Sequence, residues 1–285
     1  MFYDLNVPWP SCSAADLTAG TGPVAELFDV VAKLHGFGYR TVAFNYEHSG
    51  RVGANLQSPI RRSLFAARFP DMTFLTRITV TAEENDGSGP QQHLAGLSGR
   101  FDIVALRPHS EKHLQAACTQ WDTVDVISLD LAERLPFYLK HRTVGAGVAR
   151  GVRFEISYAA ATSADGGARR NVIANAAAMF RATRGRGMVV TGGARHCLDV
   201  RGPYDVANLC TLWGFNTLEK AKNALGEDAR LLVVRGRLRR RSYKQVVEVS
   251  GDEAEDEPAA GRDDAAGRKG KAREAAGPPA KRQKP

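Results

Sequence analysis

The 285-residue chain has four cysteines, and none forms a Cys-x-x-Cys pair. Cys12, Cys118, Cys197 and Cys210 stand far apart, which reads as reduced thiols in an intracellular protein and offers no local set of zinc ligands. No apolar run reaches the roughly 18 residues a membrane span needs, so no membrane partner is expected. The opening MFYDLNVPWP lacks the basic flank and long apolar core of a secretory signal. No Gly-rich phosphate loop follows the first strand-like run, which counts against an open nucleotide-binding sheet. No glycine elbow or ordered Ser-His-Asp set is evident. His109 and His113 lie four apart, but Glu111 sits one position late for H-E-x-x-H, and the pair reads as surface residues of a helix. No catalytic residue, metal ligand or cofactor site is therefore assigned.

Acidic residues are missing from one stretch in particular. Residues 235–244, RGRLRRRSYK, hold six basic side chains and no acidic one, whereas 251–285 hold eight of each sign. Most of the net charge of +8 thus belongs to one short segment. Such a segment is able to engage several phosphates at once; a solvated charged edge is the plainer alternative. Leu, Ile, Val and aromatic residues are absent after position 250. A segment of that composition cannot bury enough apolar surface to offset its ordering entropy, so a disordered tail is expected over 251–285. Its basic clusters Arg268-Lys269 and Lys281-Arg282 with Lys284, separated by an eleven-residue spacer, resemble a bipartite nuclear import signal.

The rest of the chain alternates short Val/Ile/Phe-rich runs with helical patterns. Strands are expected at 2–7, 40–46, 72–80, 101–106, 124–129, 152–158, 187–193 and 231–236. The helix expected at 24–38 places Val24, Leu27, Val31 and Leu34 on one face, and others are expected near 59–68, 110–120 (capped by Ser110), 135–150 and 169–183. Eight strands alternating with helices over about 235 residues fit an α/β fold of the closed, eight-stranded β/α (TIM-like) barrel type. The expected division is a barrel over 1–236, a basic extension over 237–250 and the tail over 251–285. Tyr46 and Glu47, after the second strand, are loop residues with no assigned role.

In RGPYDVANL at 201–209, Pro203 suits a first helical position; Val206, Leu209, Cys210 and Trp213 follow on one face, and Gly214 ends the run. Asn216 with Glu219 makes a capping-box-like start for the next helix. On the barrel reading Arg201 lies on the C-terminal face, beside helix N–H groups able to receive a phosphate, or else pairs with Asp199 or Asp205.

RGPYDVANL, together with FDIVALRP at 101–108, ERLPFYLK at 133–140 and GVRFEISY at 151–158, resembles the roughly 30-kDa protein subunit shared by ribonuclease P and ribonuclease MRP. The resemblance covers about 1–235. It implies a barrel related to the polymerase and histidinol phosphatase (PHP) hydrolases, and a non-catalytic subunit whose partners are the catalytic RNA, a small α/β protein subunit, and precursor tRNA or pre-rRNA. It also implies residence in the nucleus and nucleolus. PHP hydrolases carry a metal-binding His-x-His at the end of the first strand, where this chain has Asp4-Leu5-Asn6, with Asp4 and Asn6 expected on one face. A metal-dependent phosphoesterase is the alternative reading. Glu155 and Asp102 point into the barrel or are satisfied buried carboxylates. The candidates for RNA contact are Arg77, Arg107, Arg195 and Arg201 near strand ends and loops, and Arg235, Arg237, Arg239, Arg240, Arg241 and Lys244 in the basic segment.

Overall fold

In the computed structural model of the chain, residues 1–12, 21–50, 53, 56–82, 94, 96–163, 166–243 and 247–248 are described. The tail and its import-signal residues Arg268, Lys269, Lys281, Arg282 and Lys284 lie outside these residues, as does Lys244.

Strand β1 (Phe2–Pro8) is followed by helix α1 (Pro23–Gly36), β2 (Tyr39–Ser49), the single turn α2 (Ser63–Ala66), β3 (Thr73–Ala82) and β4 (Ile103–Pro108). Next come α3 (Glu111–Thr119), β5 (Val126–Ser128), α4 (His141–Ala149), β6 (Arg153–Ser157), α5 (Ala159–Ser163), α6 (Gly166–Thr183) and β7 (Met188–Thr191). A short 3-10 turn η1 (Cys197–Asp199) leads to α7 (Pro203–Leu209), a second turn η2 (Cys210–Trp213), α8 (Leu218–Leu225) and α9 (Glu227–Arg241), and the hairpin of β8 (Ser242–Tyr243) and β9 (Val247–Glu248) follows.

Strands β1 to β7 form one parallel sheet in sequence order. It curls until its edges meet: the Gly193 N–H donates to the Asn6 carbonyl at 2.8 Å and the Gly192 N–H to Asp4 Oδ1 at 2.9 Å. The result is a nearly closed β/α barrel, with seven strands where eight are expected from the sequence. Residues 231–236, read as the eighth strand, are helical and belong to α9. A short apolar run such as LLVV fits either period, and its neighbours decide. Glu227 and Asp228 in the first turn and Arg239, Arg240 and Arg241 in the last oppose the helix dipole, and β7 reaches β1 directly, so no gap is left for a strand.

Helix α9 instead plugs the N-terminal mouth of the barrel. Its Ala229 and Leu232 join an interior cluster with Tyr3, Leu5, Ala43, Ile103, Ala105, Val126 and Val189. Burying one such leucine contributes about 2 kcal/mol. Gly236 allows the close approach, because a Cβ there would overlap the Asp102 carbonyl oxygen. The helix runs without a break through positions 236 and 237, where the basic extension is expected to begin.

The outward faces of the strands pack against the helices in a larger cluster that includes Val42, Phe44, Ile78, Val104, Leu106, Ile127, Phe154, Ile156 and Val190. Helix α1 adds Leu27, Val31 and Leu34, as its 3.6-residue pattern predicts. Ser110 caps α3 by accepting from the His113 N–H at 3.3 Å, and Pro203 stands in the first turn of α7. Gly214 (φ 98°) ends η2. The cap of α8 is Thr217, not Asn216: its Oγ1 accepts from the Lys220 N–H at 3.3 Å. Helix α4 starts at His141, later than the expected 135, so residues 129–140 form a loop on the C-terminal side of the barrel.

Candidate nucleic-acid interface

The barrel interior changes character along its axis. The apolar layer against α9 gives way, toward the C-terminal ends of the strands, to a network of polar side chains. Arg77 of β3 is 0% exposed at its centre. It donates to Glu155 Oε1 and Oε2 at 2.6 and 2.5 Å, to the Leu5 carbonyl at 2.8 Å and, through Nε, to Thr79 Oγ1 at 3.3 Å. Thr191 Oγ1 donates to Glu155 at 2.6 Å. Thr79 Oγ1 donates to Asn45 Oδ1, and Asn45 Nδ2 to Asn6 Oδ1, each at 2.8 Å. Burial alone would raise the Glu155 pKa, but the Arg77 guanidinium, with hydrogen bonds from Ser128 and Thr191, holds it below the usual range. The network satisfies its own donors and acceptors, and Arg77 is removed from any surface contact with RNA.

Asp4 and Asn6 do not share a face. Pairing with β2 slips between Asp4 and Val7, and this bulge turns Asn6 inward to Asn45. Asp4, in register with Val42, stays at the β1/β7 seam, where its Oδ1 accepts from the N–H groups of Asn6 (3.2 Å) and Gly192 (2.9 Å). Burial pushes its pKa up to about 6, against the pull of those two bonds. Among the described residues no group of three His, Cys, Asp or Glu side chains is placed to hold a metal ion. His113 is buried and packs near Trp121, with ring centroids 6.2 Å apart, rather than lying on the surface.

A cleft of about 150 Å³ opens at the C-terminal mouth, lined by residues that include Asn6, Glu47, Arg107, Ser128, Asp130 and Arg195. Arg107 at the end of β4 lies 3.2 Å from Glu47, and Arg195, on the loop after β7, lies 3.6 Å from the same carboxylate. Arg195 is 69% exposed. Glu47 is not a loop residue: β2 runs past it and sets it between Arg107 of β4 and Arg195 of the loop after β7, a placement that no local pattern signals. The loop 129–140 borders the cleft and carries exposed Arg134, Tyr138 and Lys140.

Arg201 is not on this face. From Gly193 the chain descends the outer wall, and α7 begins beside the N-terminal ends of β1 and β2: the rings of Phe2 and Tyr204 stand 5.8 Å apart, and Tyr39 Oη donates to the Arg201 carbonyl at 3.3 Å. The guanidinium pairs with neither Asp199 nor Asp205. It donates to the Leu198 and Val200 carbonyls at 2.5 and 3.2 Å, holding the η1 backbone.

The basic segment sits at the opposite mouth. Arg239 is 4% exposed and binds the buried Asp125 at 3.0 Å, the Phe101 and Asp102 carbonyls at 3.1 and 3.2 Å, and the Ser98 carbonyl. Arg235 lies 3.7 Å from Asp125 and donates to the Arg150 carbonyl, and Arg240 is paired with Asp102. Asp102 also accepts from the Thr76 N–H and Oγ1 at 2.8 and 2.9 Å, so it ties β3, β4 and α9 at the base instead of pointing into the barrel. Arg237 and Arg241 are exposed on α9.

A family model for the RNase P subunit p30 matches residues 1–241. The chain belongs to that family. It is 36% identical over 248 residues to the probable ribonuclease P protein subunit 3 of Schizosaccharomyces pombe, covering 87% of this chain and 98% of that protein. It is 35% identical to the ribonuclease P/MRP protein subunit RPP1 of Saccharomyces cerevisiae, over 88% and 86% of the two chains. With the mouse ribonuclease P protein subunit p30 the identity is 30%, over 80% and 87%. A chain in the cryo-EM structure of archaeal ribonuclease P with mature tRNA superposes with a TM-score of 0.59 at 13% identity, covering 89% of this chain and all of the archaeal one, which shows a shared fold. The family match runs to the last residue of α9, so the helical plug lies within it.

Proposed function

We propose that this protein is an RNA-binding, non-catalytic subunit of ribonuclease P and ribonuclease MRP. It would support the catalytic RNA in removing the 5′ leader of precursor tRNA and in processing pre-rRNA. The observation that carries the reading is near full-length similarity to subunits of these complexes in two yeasts. The arginines of the cleft support this reading. Arg107 and Arg195 share the Glu47 carboxylate and Asp130 lines the same cleft, so it is the 69% exposed Arg195 that is best placed to reach a phosphate. A second partner is a small α/β protein subunit of the same complex. The site of action is the nucleus and nucleolus, with the basic clusters of the tail as the import signal.

The metal-dependent phosphoesterase reading finds no support in the barrel interior. The carboxylate Glu155, which faces the axis, is already neutralised by Arg77, and Asn6 contributes an amide, a weak ligand for a hydrolytic metal pair. Affinity purification of the tagged chain from its host, followed by sequencing of the co-purified RNA, tests the proposal. Enrichment of the ribonuclease P or MRP RNA is expected. Recovery of the intact protein with neither RNA would sink it.

A further inference from the structure

We infer that the loop 129–140 is a subsite for unpaired RNA, in which Tyr138 stacks on a base while Arg134, Arg142, Arg169 and Arg170 hold neighbouring phosphates. This rests on the RNA-binding reading above and names a place for it that the cleft arginines do not cover.

The loop is rigid where it carries the tyrosine. Leu131 and Leu139 are buried at its two ends, and Leu135 and Phe137 pack against the outer core. The Ala132 N–H donates to Asp130 Oδ1 at 3.0 Å. Two asparagines of α6 then grip the backbone: Asn171 Nδ2 donates to the Ala132 carbonyl at 2.9 Å, and Asn175 Nδ2 to those of Leu131 and Glu133 at 3.0 and 2.8 Å. Yet Tyr138, between half-buried Phe137 and buried Leu139, is 78% exposed. Among the described residues it makes no ring contact and no hydrogen bond. A large ring displayed on a backbone this well fixed is presented to a ligand at little cost in ordering.

The surroundings say which ligand. Asn171 pins the first turns of α6 to the loop, and exposed Arg169 and Arg170 stand in those same turns. Arg134 lies on the loop and Arg142 in the first turn of α4. Among the described residues none of these four pairs with a carboxylate. A patch with one exposed aromatic face and several uncommitted guanidinium groups fits a polyanion with exposed bases better than an apolar protein surface. In an A-form duplex the base faces are covered by stacking, so the ring needs an unpaired nucleotide.

The test uses the full-length protein, an unstructured twelve-nucleotide RNA and a duplex of the same sequence. Tyr138→Ala should weaken single-strand binding roughly 5- to 100-fold while leaving the salt dependence unchanged. Tyr138→Phe should retain affinity, and the emission of Tyr138→Trp should be quenched on binding. Arg134→Ala with Arg142→Ala should flatten the slope of log K against log salt by about 0.7 for each phosphate released. Circular dichroism and melting temperature should stay at wild-type values in every variant. If folded Tyr138→Ala binds the single strand as wild type does, or loses duplex binding equally, the subsite is overturned. A Tyr138→Ala variant that keeps RNA affinity but fails to join the reconstituted complex would assign the loop to a protein partner and overturn it as well. A wild-type chain that binds neither RNA would instead overturn the RNA-binding reading itself.

Discussion

Both mouths of the barrel are rich in arginine, and they use it in opposite ways. At the N-terminal base, Arg235, Arg239 and Arg240 are spent on Asp125 and Asp102, and Arg239 is nearly out of reach of solvent. At the C-terminal mouth, Arg107 and Arg195 divide one half-exposed Glu47, and among the described residues Arg134, Arg142, Arg169 and Arg170 form no ion pair with a carboxylate. A run of like charge in a sequence therefore does not locate a binding surface. The carboxylates that fold back onto it decide whether the run is an interface or a lock.

The sharpest way to break this comparison is to remove a buried cation. Arg77→Ala leaves the buried Glu155 without its guanidinium partner, and truncating one partner of such a pair costs about 3–5 kcal/mol. A folded fraction too small to measure at about 37 °C, or a fall of that size in the unfolding free energy from urea curves, is expected. Arg77→Met combined with Glu155→Leu removes both charges and should recover most of the loss. If the single variant melted with the wild type, the interior network would be no determinant of stability.

Next comes the lock at the base. Arg239→Ala leaves the buried Asp125 with Arg235 at 3.7 Å and the Val104 N–H at 2.9 Å, and should cost about 2–4 kcal/mol. The salt dependence of RNA binding by the folded fraction should not change, because the guanidinium holds α9 to the starts of β4 and β5 and faces no solvent. Equilibrium unfolding and a salt series on the same variant separate the two quantities. A flattened slope at unchanged stability would return this arginine to the RNA surface, where the sequence alone puts it.

That contrast also shows what the sequence is able to disclose. Strand and helix periodicity carries β1 to β7 and α1, and the Pro203 and Ser110 signals mark true helix starts. The family resemblance is carried by four motifs, three of which include barrel strands or helix α7. What stays hidden depends on long-range partners. LLVVRG suits a strand in isolation, and it is a helix because β7 and β1 bond to each other and Asp125 waits for Arg239. Asp4 and Asn6 alternate on paper, but a bulge, invisible in composition, separates them. Tyr138 reads as part of an apolar helical stretch until Asn171 and Asn175, more than thirty residues on, are seen to hold its loop open.

The seam between β1 and β7 gives a pH test of intermediate size. Asp4 titrates at about 6 in the fold against 3.8 in the unfolded chain. A raised carboxylate contributes stability that is fully present below about pH 4 and is lost as pH rises through about 6, a loss on the order of 2–3 kcal/mol. Asp4→Asn keeps an oxygen for the Gly192 and Asn6 N–H groups and cannot ionise. The stability gap between variant and wild type should widen in favour of the variant between about pH 4 and 7. Parallel urea curves across that range check this, and a gap independent of pH would show that Asp4 does not titrate there.

The smallest effect on stability belongs to the mouth. Arg195 is 69% exposed and meets Glu47 at 3.6 Å, a pair worth well under about 1 kcal/mol in water. Arg195→Ala should therefore melt within about half a kcal/mol of the wild type. Its effect on RNA should be disproportionate: each phosphate no longer held by the protein takes about 0.7–0.9 from the slope of log K against log salt, depending on whether the bound RNA is single- or double-stranded. Glu47→Gln works in the opposite sense. It releases both Arg107 and Arg195 from their shared carboxylate, so RNA affinity at low salt should rise while stability barely moves. Measured side by side, the two variants separate a cation held ready for phosphate from one satisfied within the protein. Should Glu47→Gln leave RNA affinity unchanged and Arg195→Ala leave the slope unchanged, the cleft would hold no phosphate, and binding at this end would fall to the arginines around the 129–140 loop.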